Sequence, residues 1–229
     1  MIETKVLAVR YLANGATALC SGLGAPKGYP ALAMLTTDSD DPTYIALDQA
    51  TKAADVKVCY AKSFYAGAAN ASTPLAGEVI GVLAGRDPGA VRSGMEAALA
   101  MLQQVGFEDV GVPCLAYTVS SCGSFLAREA GVTEGQALAY LIAPPLESMY
   151  AMDRAMKAAD VKLCKLYEPP SQTNFGGGLL TGSQSACYAA CAAFREAVAE
   201  VAANPKQGIT GCRAAVQHDN PEGRSRIAR

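Results

Sequence analysis

The densest group of ionisable side chains in this sequence is the acidic run Asp38-Ser39-Asp40-Asp41, which Pro42 follows. Two interpretations stay open from the sequence alone. In one, the run is a solvated turn in which Asp41 or Thr43 caps the helix that begins there. In the other, neighbouring carboxylates attract a small cation or an amine, because hydrogen bonds between an ammonium group and a carboxylate are strong.

Other residue types that usually build active sites are sparse. The single histidine, His218, lies near the end of the chain, so a pair with a nucleophile would require the tail to fold back. We find no P-loop lysine motif and no cysteine and histidine spacing typical of zinc sites. The run Gly176–Gly178 is better explained by steric needs than by phosphate binding, and most of the eight cysteines are predicted to be small core residues. We therefore predict no enzymatic activity, no metal and no cofactor.

Composition narrows the range of partners. Of the 229 residues, 51% are hydrophobic and 17% are charged, and the net charge is −2. We therefore expect a folded chain with no attraction to nucleic acid or anionic lipid. The N-terminus lacks the long apolar segment of a signal peptide, and no apolar run approaches the roughly 20 residues that span a bilayer. We predict a protein of the cytoplasm that does not contact a membrane.

One segment of the chain occurs twice. Leu47–Cys59 reads LDQATKAADVKVC and Met152–Cys164 reads MDRAMKAADVKLC, with nine of thirteen positions identical. Average residue usage would give about one or two matches. The sequence therefore predicts two copies of one domain, which we place at residues 1–105 and 112–203, followed by a basic tail over residues 204–229.

Each copy shows the same predicted order of strand, short helix, strand, helix, strand, strand and helix. Asp87 in the first copy and Ser183 in the second are predicted to cap the last helix. Short apolar runs predict the strands, among them Pro30–Leu35, Gln136–Leu141, Gly81–Gly85 and Gly178–Gly182. This pattern indicates an α+β fold made twice.

Several long motifs occur in the order found in a known family. They are DSDDPTYIALDQATKAADV (38–56), SFYAGAANASTPLAGEV (63–79), YLIAPPLESMYAMD (140–153), PPSQTNF (169–175) and LLTGSQSAC (179–187). Together they resemble the tandem-domain shell proteins of ethanolamine-utilisation microcompartments. The resemblance implies two tandem, circularly permuted microcompartment shell domains, each a small, mainly antiparallel sheet flanked by helices.

The same resemblance implies a structural role. Three chains would form a homotrimer that imitates a hexamer and joins other shell proteins in the wall of a bacterial microcompartment. It implies a gated central pore and smaller pores within each subunit, through which a small amine or alcohol metabolite passes. The family's small-pore ligand positions, which bind ethanolamine, fall here on Asp40, Asp41, Glu78, Phe107, Thr173, Asn174 and Phe175.

Two other classes of function stay open. A soluble amine-binding sensor would use the acidic run without assembling into tiles. If the chain were an enzyme, its activity should be lost when Asp40 or Glu78 is changed. The sequence contains no residue pattern that indicates a particular reaction.

Two further expectations concern assembly. The loops Ser63–Pro74 and Pro169–Leu179 are predicted to border the central pore because they occupy equivalent positions and are rich in small residues, although ordinary connecting loops would look the same. In a pseudohexamer, duplicated charges recur at equivalent positions. We expect at least one of two lysine pairs to lie at a lateral edge between neighbours, namely Lys52 with Lys157 or Lys57 with Lys162.

Overall fold

A computed structural model describes residues 1–64, 73, 75–169, 171 and 173–206. The first half contains β1 (Val6–Leu12), α1 (Thr17–Gly22), β2 (Ala31–Thr37), α2 (Asp40–Ala53), β3 (Val56–Ser63), β4 (Val79–Gly85) and α3 (Pro88–Leu102). The second half contains β5 (Glu108–Asp109), β6 (Pro113–Val119), α4 (Ser124–Ala130), β7 (Ala137–Ala143), α5 (Pro145–Ala158), β8 (Val161–Tyr167), β9 (Gly176–Gly182) and α6 (Gln184–Ala203). The predicted order of elements is confirmed in both copies, and the short strand β5 within the connector was missed.

The strands form two antiparallel sheets of the same design. Their strand orders are β1-β2-β4-β3 and β5-β6-β7-β9-β8. The central pairs share one register, since Ala31 lies opposite Gly85 and Ala137 lies opposite Gly182. The pairs β3–β4 and β8–β9 also carry an irregularity at the same place, between Val58 and Tyr60 and between Leu163 and Lys165. The duplication therefore preserved the backbone down to a bulge.

The two halves share part of their hydrophobic core. One cluster of buried side chains joins Leu83 and Met95 of the first half to Leu126, Leu138 and Tyr140 of the second. Alanine is frequent in the central strands β2 and β7, which are almost wholly buried, and its small side chain lets helices pack closely on them. Side chains from both halves consequently meet at the boundary between them.

The predicted caps of the last helix in each copy are confirmed. The Asp87 carboxylate accepts a hydrogen bond from the backbone N–H of Ala90 at 2.9 Å. The Ser183 hydroxyl accepts one from the N–H of Ala186 at 3.1 Å. Each bond satisfies a backbone donor that has no partner inside its own helix.

The predicted cap of α2 is wrong. Ser39 is the N-cap residue, and neither Asp41 nor Thr43 accepts a bond from the first turn of the helix. The Thr43 hydroxyl instead donates to the Ser39 carbonyl oxygen at 2.7 Å. Asp41 accepts from the hydroxyl of Tyr140 in the second half. A contact with the second half therefore engages the Asp41 side chain, and a bond within the first turn engages that of Thr43, so neither is available for capping.

Burial of the cysteines agrees with the core interpretation. The described cysteines are free thiols, and five of them are buried, namely Cys20, Cys114, Cys122, Cys187 and Cys191. Cys59 and Cys164 are half-buried, and Cys212 lies outside the described residues.

The glycine run at the start of β9 has a steric explanation. Gly177 has a φ of +147°, a region that other residues rarely adopt. A Cβ atom at this position would lie 1.9 Å from the carbonyl oxygen of Leu141 on the neighbouring strand. Close approach of two strands, rather than phosphate binding, therefore accounts for this glycine.

Candidate functional site

A cavity of about 220 Å³ lies beside the start of α2, at the boundary between the two halves. We call it the acidic cavity. The residues that line it are Ile2, Glu3, Thr4, Asp38, Ser39, Asp40, Glu78, Phe107, Pro113, Thr173 and Phe175. Five of the seven predicted ligand positions are among them: Asp40, Glu78, Phe107, Thr173 and Phe175. Segments from both halves of the chain thus converge on one small space.

Carboxyl groups are the only ionisable side chains among the described residues that line the acidic cavity. Four carboxyl groups line it, those of Glu3, Asp38, Asp40 and Glu78, and no lysine or arginine is among the described lining residues. Burial raises the pKa of Glu78, and the nearby charges of Asp40 and Asp38 raise it further. A cation in this space would relieve that repulsion, so the cavity favours a positively charged ligand.

Two phenylalanines form the aromatic part of the same wall. Phe107 follows α3 and Phe175 precedes β9, and their rings stack with centroids 5.6 Å apart and an interplanar angle of 29°. The face of an aromatic ring is electronegative and attracts cations at close range. Carboxylates and ring faces therefore act in the same direction on a small ammonium group.

A second and larger cavity, of about 390 Å³, shares Asp40 and Thr173 with the first. We call it the tyrosine cavity, because Tyr44, Tyr60, Tyr140 and Tyr167 are among its lining residues. Since Asp40 and Thr173 line both spaces, they mark the junction between the two cavities.

Asp41 lies on the side of the tyrosine cavity. Its carboxylate accepts a hydrogen bond from the Tyr140 hydroxyl at 2.9 Å. Burial raises the pKa of Asp41 well above its usual range, and the adjacent charge of Asp40 adds to the effect. Asp41 is therefore poised to hold a proton more readily than an exposed aspartate.

Hydrogen bonds fix the orientation of Asp40. Its Oδ2 accepts from the Ser63 hydroxyl at 2.7 Å, and its Oδ1 accepts from the backbone N–H of Asp41 at 2.9 Å. The Tyr44 hydroxyl in turn shares a hydrogen bond with Ser63. Burial raises the pKa of Asp40, whereas the bond from Ser63 opposes that rise. The carboxylate is thus held in place at the junction of the two cavities.

Asn174 is the predicted ligand residue that stands apart. Its side chain is exposed and does not line either cavity. The residue has a φ of +65°, and its N–H donates to the Ser171 carbonyl oxygen at 3.1 Å. Asparagine tolerates this left-handed conformation better than most residues. Its visible contribution is to shape the turn that places Thr173 and Phe175.

Several residues of the site were missed by sequence reasoning. The N-terminal segment 2–4, which supplies Glu3, and Pro113 line the acidic cavity, but neither belongs to a recognisable motif. Ser63 and Tyr140 hold the two aspartates but belong to strands whose pattern indicates only packing. Asp38 carried a signal, since it belongs to the acidic run, and its carboxylate accepts from the backbone N–H of Lys5 at 2.7 Å.

Two further kinds of feature are absent from the described residues, a metal-binding cluster and a membrane-spanning helix. Within them, no cluster of three or more histidine, cysteine, aspartate or glutamate side chains has an arrangement suited to a metal ion. Of the helices in the described part of the chain, none has the length and apolar character needed to cross a bilayer. The predicted pore loops fall partly on residues 65–72, 74, 170 and 172, which lie outside the described ranges.

Comparison with known proteins defines the class. A family model described as "BMC domain" matches residues 31–111, which include β2, α2, β3, β4 and α3. The antiparallel sheet flanked by helices is thus the fold of a bacterial microcompartment shell domain, and the molecule contains two sheets of this design.

Similarity to individual shell proteins narrows the assignment from the domain family to one kind of shell protein. The chain is 54% identical to the bacterial microcompartment shell protein EutL of Clostridium perfringens (strain 13 / Type A) and 45% identical to that of Escherichia coli (strain K12). Each match covers 90% of this chain and 97% of the relative. A crystal structure of the ethanolamine utilization protein EutL from Leptotrichia buccalis C-1013-b superposes with a TM-score of 0.88 at 53% identity, covering 90% of this chain and 97% of that one. The chain belongs to the EutL family of microcompartment shell proteins, which are structural proteins rather than enzymes.

Proposed function

We propose that three copies of this chain form a trimer with the outline of a hexamer, which serves as a tile in the wall of an ethanolamine-utilisation microcompartment within the cytoplasm. Each half would be one shell domain, residues 1–105 and 112–203, so that six domains surround a central pore. The equal registers and matching bulges of the two sheets support this arrangement. Other shell proteins would complete the wall. The competing hypothesis of a sensor that does not tile gains no support from the relatives.

We further propose that the acidic cavity is a small pore that binds a protonated amino alcohol such as ethanolamine. The observation that carries this proposal is the group of carboxylates around Asp40 and Glu78 with no cationic side chain among the described lining residues. An ammonium group placed between these carboxylates would also face the rings of Phe107 and Phe175. The hydroxyl of Thr173 offers a partner for the alcohol group.

The remaining predicted ligand residues would act indirectly. The backbone N–H of Asp41 would orient the Asp40 carboxylate, and the Asp41 side chain would add negative charge beside it. Asp41 would also interact with a ligand that moves toward the tyrosine cavity. Asn174 would keep Thr173 and Phe175 in place through its turn. The volume of about 220 Å³ suits a molecule of a few heavy atoms.

Calorimetric titration with ethanolamine hydrochloride tests this assignment. We expect saturable binding to the wild-type chain and at least a tenfold weaker affinity for Asp40→Asn, because a charged hydrogen bond contributes roughly 1.5–3 kcal/mol. Asp160→Asn, which removes an exposed carboxylate outside both cavities, is the matched control and should bind like the wild type.

Two uncharged or truncated probes sharpen the result. Ethylene glycol, which lacks the amine, should bind much more weakly than ethanolamine, whereas ethylamine should retain part of the affinity. Equal binding of ethylene glycol and ethanolamine would contradict recognition of the ammonium group.

A further inference from the structure

The tyrosine cavity carries charged groups of opposite sign at different depths. Asp40 and Asp41 line it, and these two residues are only 8% and 7% exposed. Lys62 and Arg128 also line it, and both of these residues are exposed. Acidic groups therefore lie in the interior of the cavity, whereas basic groups lie at its rim.

The acidic end is held in place and can still accept hydrogen bonds. The Asp40 carboxylate accepts from the Ser63 hydroxyl at 2.7 Å and from the backbone N–H of Asp41 at 2.9 Å. The Asp41 carboxylate accepts from the Tyr140 hydroxyl at 2.9 Å. Because each carboxylate oxygen has more than one lone pair, both groups retain acceptor capacity for an ammonium group.

The basic groups at the rim lie over aromatic rings. The Lys62 ammonium lies 5.4 Å from the centroid of the Tyr60 ring, and the Arg128 guanidinium lies 5.6 Å from that of Phe125. Among the described residues, neither group forms an ion pair with a carboxylate. Arg128 donates to the carbonyl oxygen of Val58 at 3.5 Å, which leaves further N–H donors of the guanidinium for an anion.

A third carboxylate in the lining does not cancel this positive charge. Glu129 lines the cavity and pairs with Lys165, whose Nζ lies 2.8 Å from the Glu129 Oε2. Lys165 is not among the lining residues, so it supplies Glu129 with a countercharge from outside the cavity. The cavity therefore keeps one acidic end and one basic end.

We propose that the tyrosine cavity binds a small zwitterion, which carries an ammonium group at one end and a phosphate or carboxylate at the other. The ammonium group would donate to Asp40 and Asp41 in the interior. The anionic group would accept from Lys62 and Arg128 at the rim. The tyrosine rings would pack against the carbon atoms that join the two charges.

Volume and charge distinguish this ligand from the one proposed for the acidic cavity. The tyrosine cavity measures about 390 Å³, against about 220 Å³ for the acidic cavity, so it has room for a second charged group. The described lining of the acidic cavity has four carboxyl groups and no basic side chain, so it would repel the anionic end of a zwitterion. The zwitterion site therefore differs from the proposed amino-alcohol site, although both include Asp40 and Thr173.

Calorimetric titration of the full chain with O-phosphoethanolamine and with β-alanine tests the zwitterion site. We expect saturable binding of at least one of them, and the tighter ligand identifies whether the rim prefers a phosphate or a carboxylate. Arg128→Gln should weaken that binding at least about tenfold, because a charge-assisted hydrogen bond is lost. Arg154→Gln, which removes an exposed arginine outside both cavities, is the matched control and should bind like the wild type.

A second variant at the rim keeps the test decisive if Arg128→Gln does not fold. Lys62 belongs to β3 rather than α4, and Lys62→Gln should also weaken binding of the zwitterion. Circular dichroism would show whether each variant still folds. Absence of saturable binding of both zwitterions to the wild type would overturn the proposal, and so would wild-type affinity in the folded rim variants.

Opposite responses of two variants separate this site from the acidic cavity. Glu78 lines only the acidic cavity, and Arg128 lines only the tyrosine cavity. Glu78→Gln should weaken binding of ethanolamine and spare the zwitterion, whereas Arg128→Gln should do the reverse. A wild-type chain that binds a zwitterion but not ethanolamine would contradict the amino-alcohol site alone. One that binds ethanolamine but neither zwitterion would contradict the zwitterion site alone.

Discussion

The starts of α2 and α5 occupy equivalent positions in the two copies, yet their chemistry differs. In the first copy, Asp40 and Asp41 are buried and hydrogen-bonded at the boundary between the halves. In the second, Pro145 and Leu146 stand at the same positions, and Leu146 is 63% exposed. The sheets beneath these helices have the same register. The two copies therefore share the backbone arrangement of their sheets, whereas the residues at the helix start differ, and only the first copy has the acidic pair there.

The largest loss of stability is expected at the boundary between the two halves, which positions this acidic pair. Asp48→Ala leaves the N–H groups of Gly123 and Leu126 buried without an acceptor. We expect the free energy of unfolding to fall by about 3 kcal/mol. Urea denaturation at equal protein concentrations would measure this loss, because assembly makes apparent stability depend on concentration.

A carboxylate in the same copy provides the control for Asp48. Asp55 pairs with Arg86 at 3.4 Å, and both side chains are mostly exposed. Asp55→Ala should therefore cost less than about 1 kcal/mol. Equal losses for the two variants would show that the contact between the halves does not depend on Asp48.

The next effect concerns the support that the second copy gives to the acidic pair. Tyr140→Phe removes the hydroxyl that donates to Asp41, so a buried carboxylate loses a donor. We expect a loss of about 2 kcal/mol in the free energy of unfolding at neutral pH. At the equivalent position of the first copy, Met34→Leu conserves volume and removes no hydrogen bond, so it should cost less than about 1.5 kcal/mol. A smaller loss for Tyr140→Phe than for Met34→Leu would contradict this role of the hydroxyl.

Sequence patterns predicted the parts of this molecule that local rules decide. The repeated segment, the apolar runs and the residues before α3 and α6 predicted the order of elements and two caps that the structure confirms. Among the predicted strands, the ends at Gly85 and Gly182 agree with the structure, and the other ends differ by one or two residues, the usual uncertainty of strand boundaries.

The candidate site was predictable only where it carried its own signal. The acidic run pointed to Asp40 and Asp41, but the assignment of Glu78, Phe107, Thr173 and Phe175 came from the family resemblance. The partners Ser63 and Tyr140 come from strands far from α2 in the sequence. Such contacts depend on how two sheets meet, and no spacing within a single segment reports that geometry. The local rule instead predicted a cap at α2, which the structure shows to be wrong.

The smallest expected effect is a difference in pH dependence between the two copies. Burial and the charge of Asp40 raise the pKa of Asp41 above its usual 3.8, so the folded chain holds this proton more tightly than the unfolded chain does. The contribution of Asp41 to stability therefore decreases as pH rises from about 4 through its folded pKa. Asp41→Asn should remove that decrease, so the stability of the variant relative to the wild type should rise with pH in this window.

Leu146→Asp would add an exposed carboxylate at the equivalent position and should change the dependence of stability on pH little. Urea unfolding between about pH 4 and pH 8 measures both. A relative stability of Asp41→Asn that falls with increasing pH would mean that ionised Asp41 is stabilised in the folded chain. The acidic pair would then already be neutralised from within and would have no need of a cationic ligand.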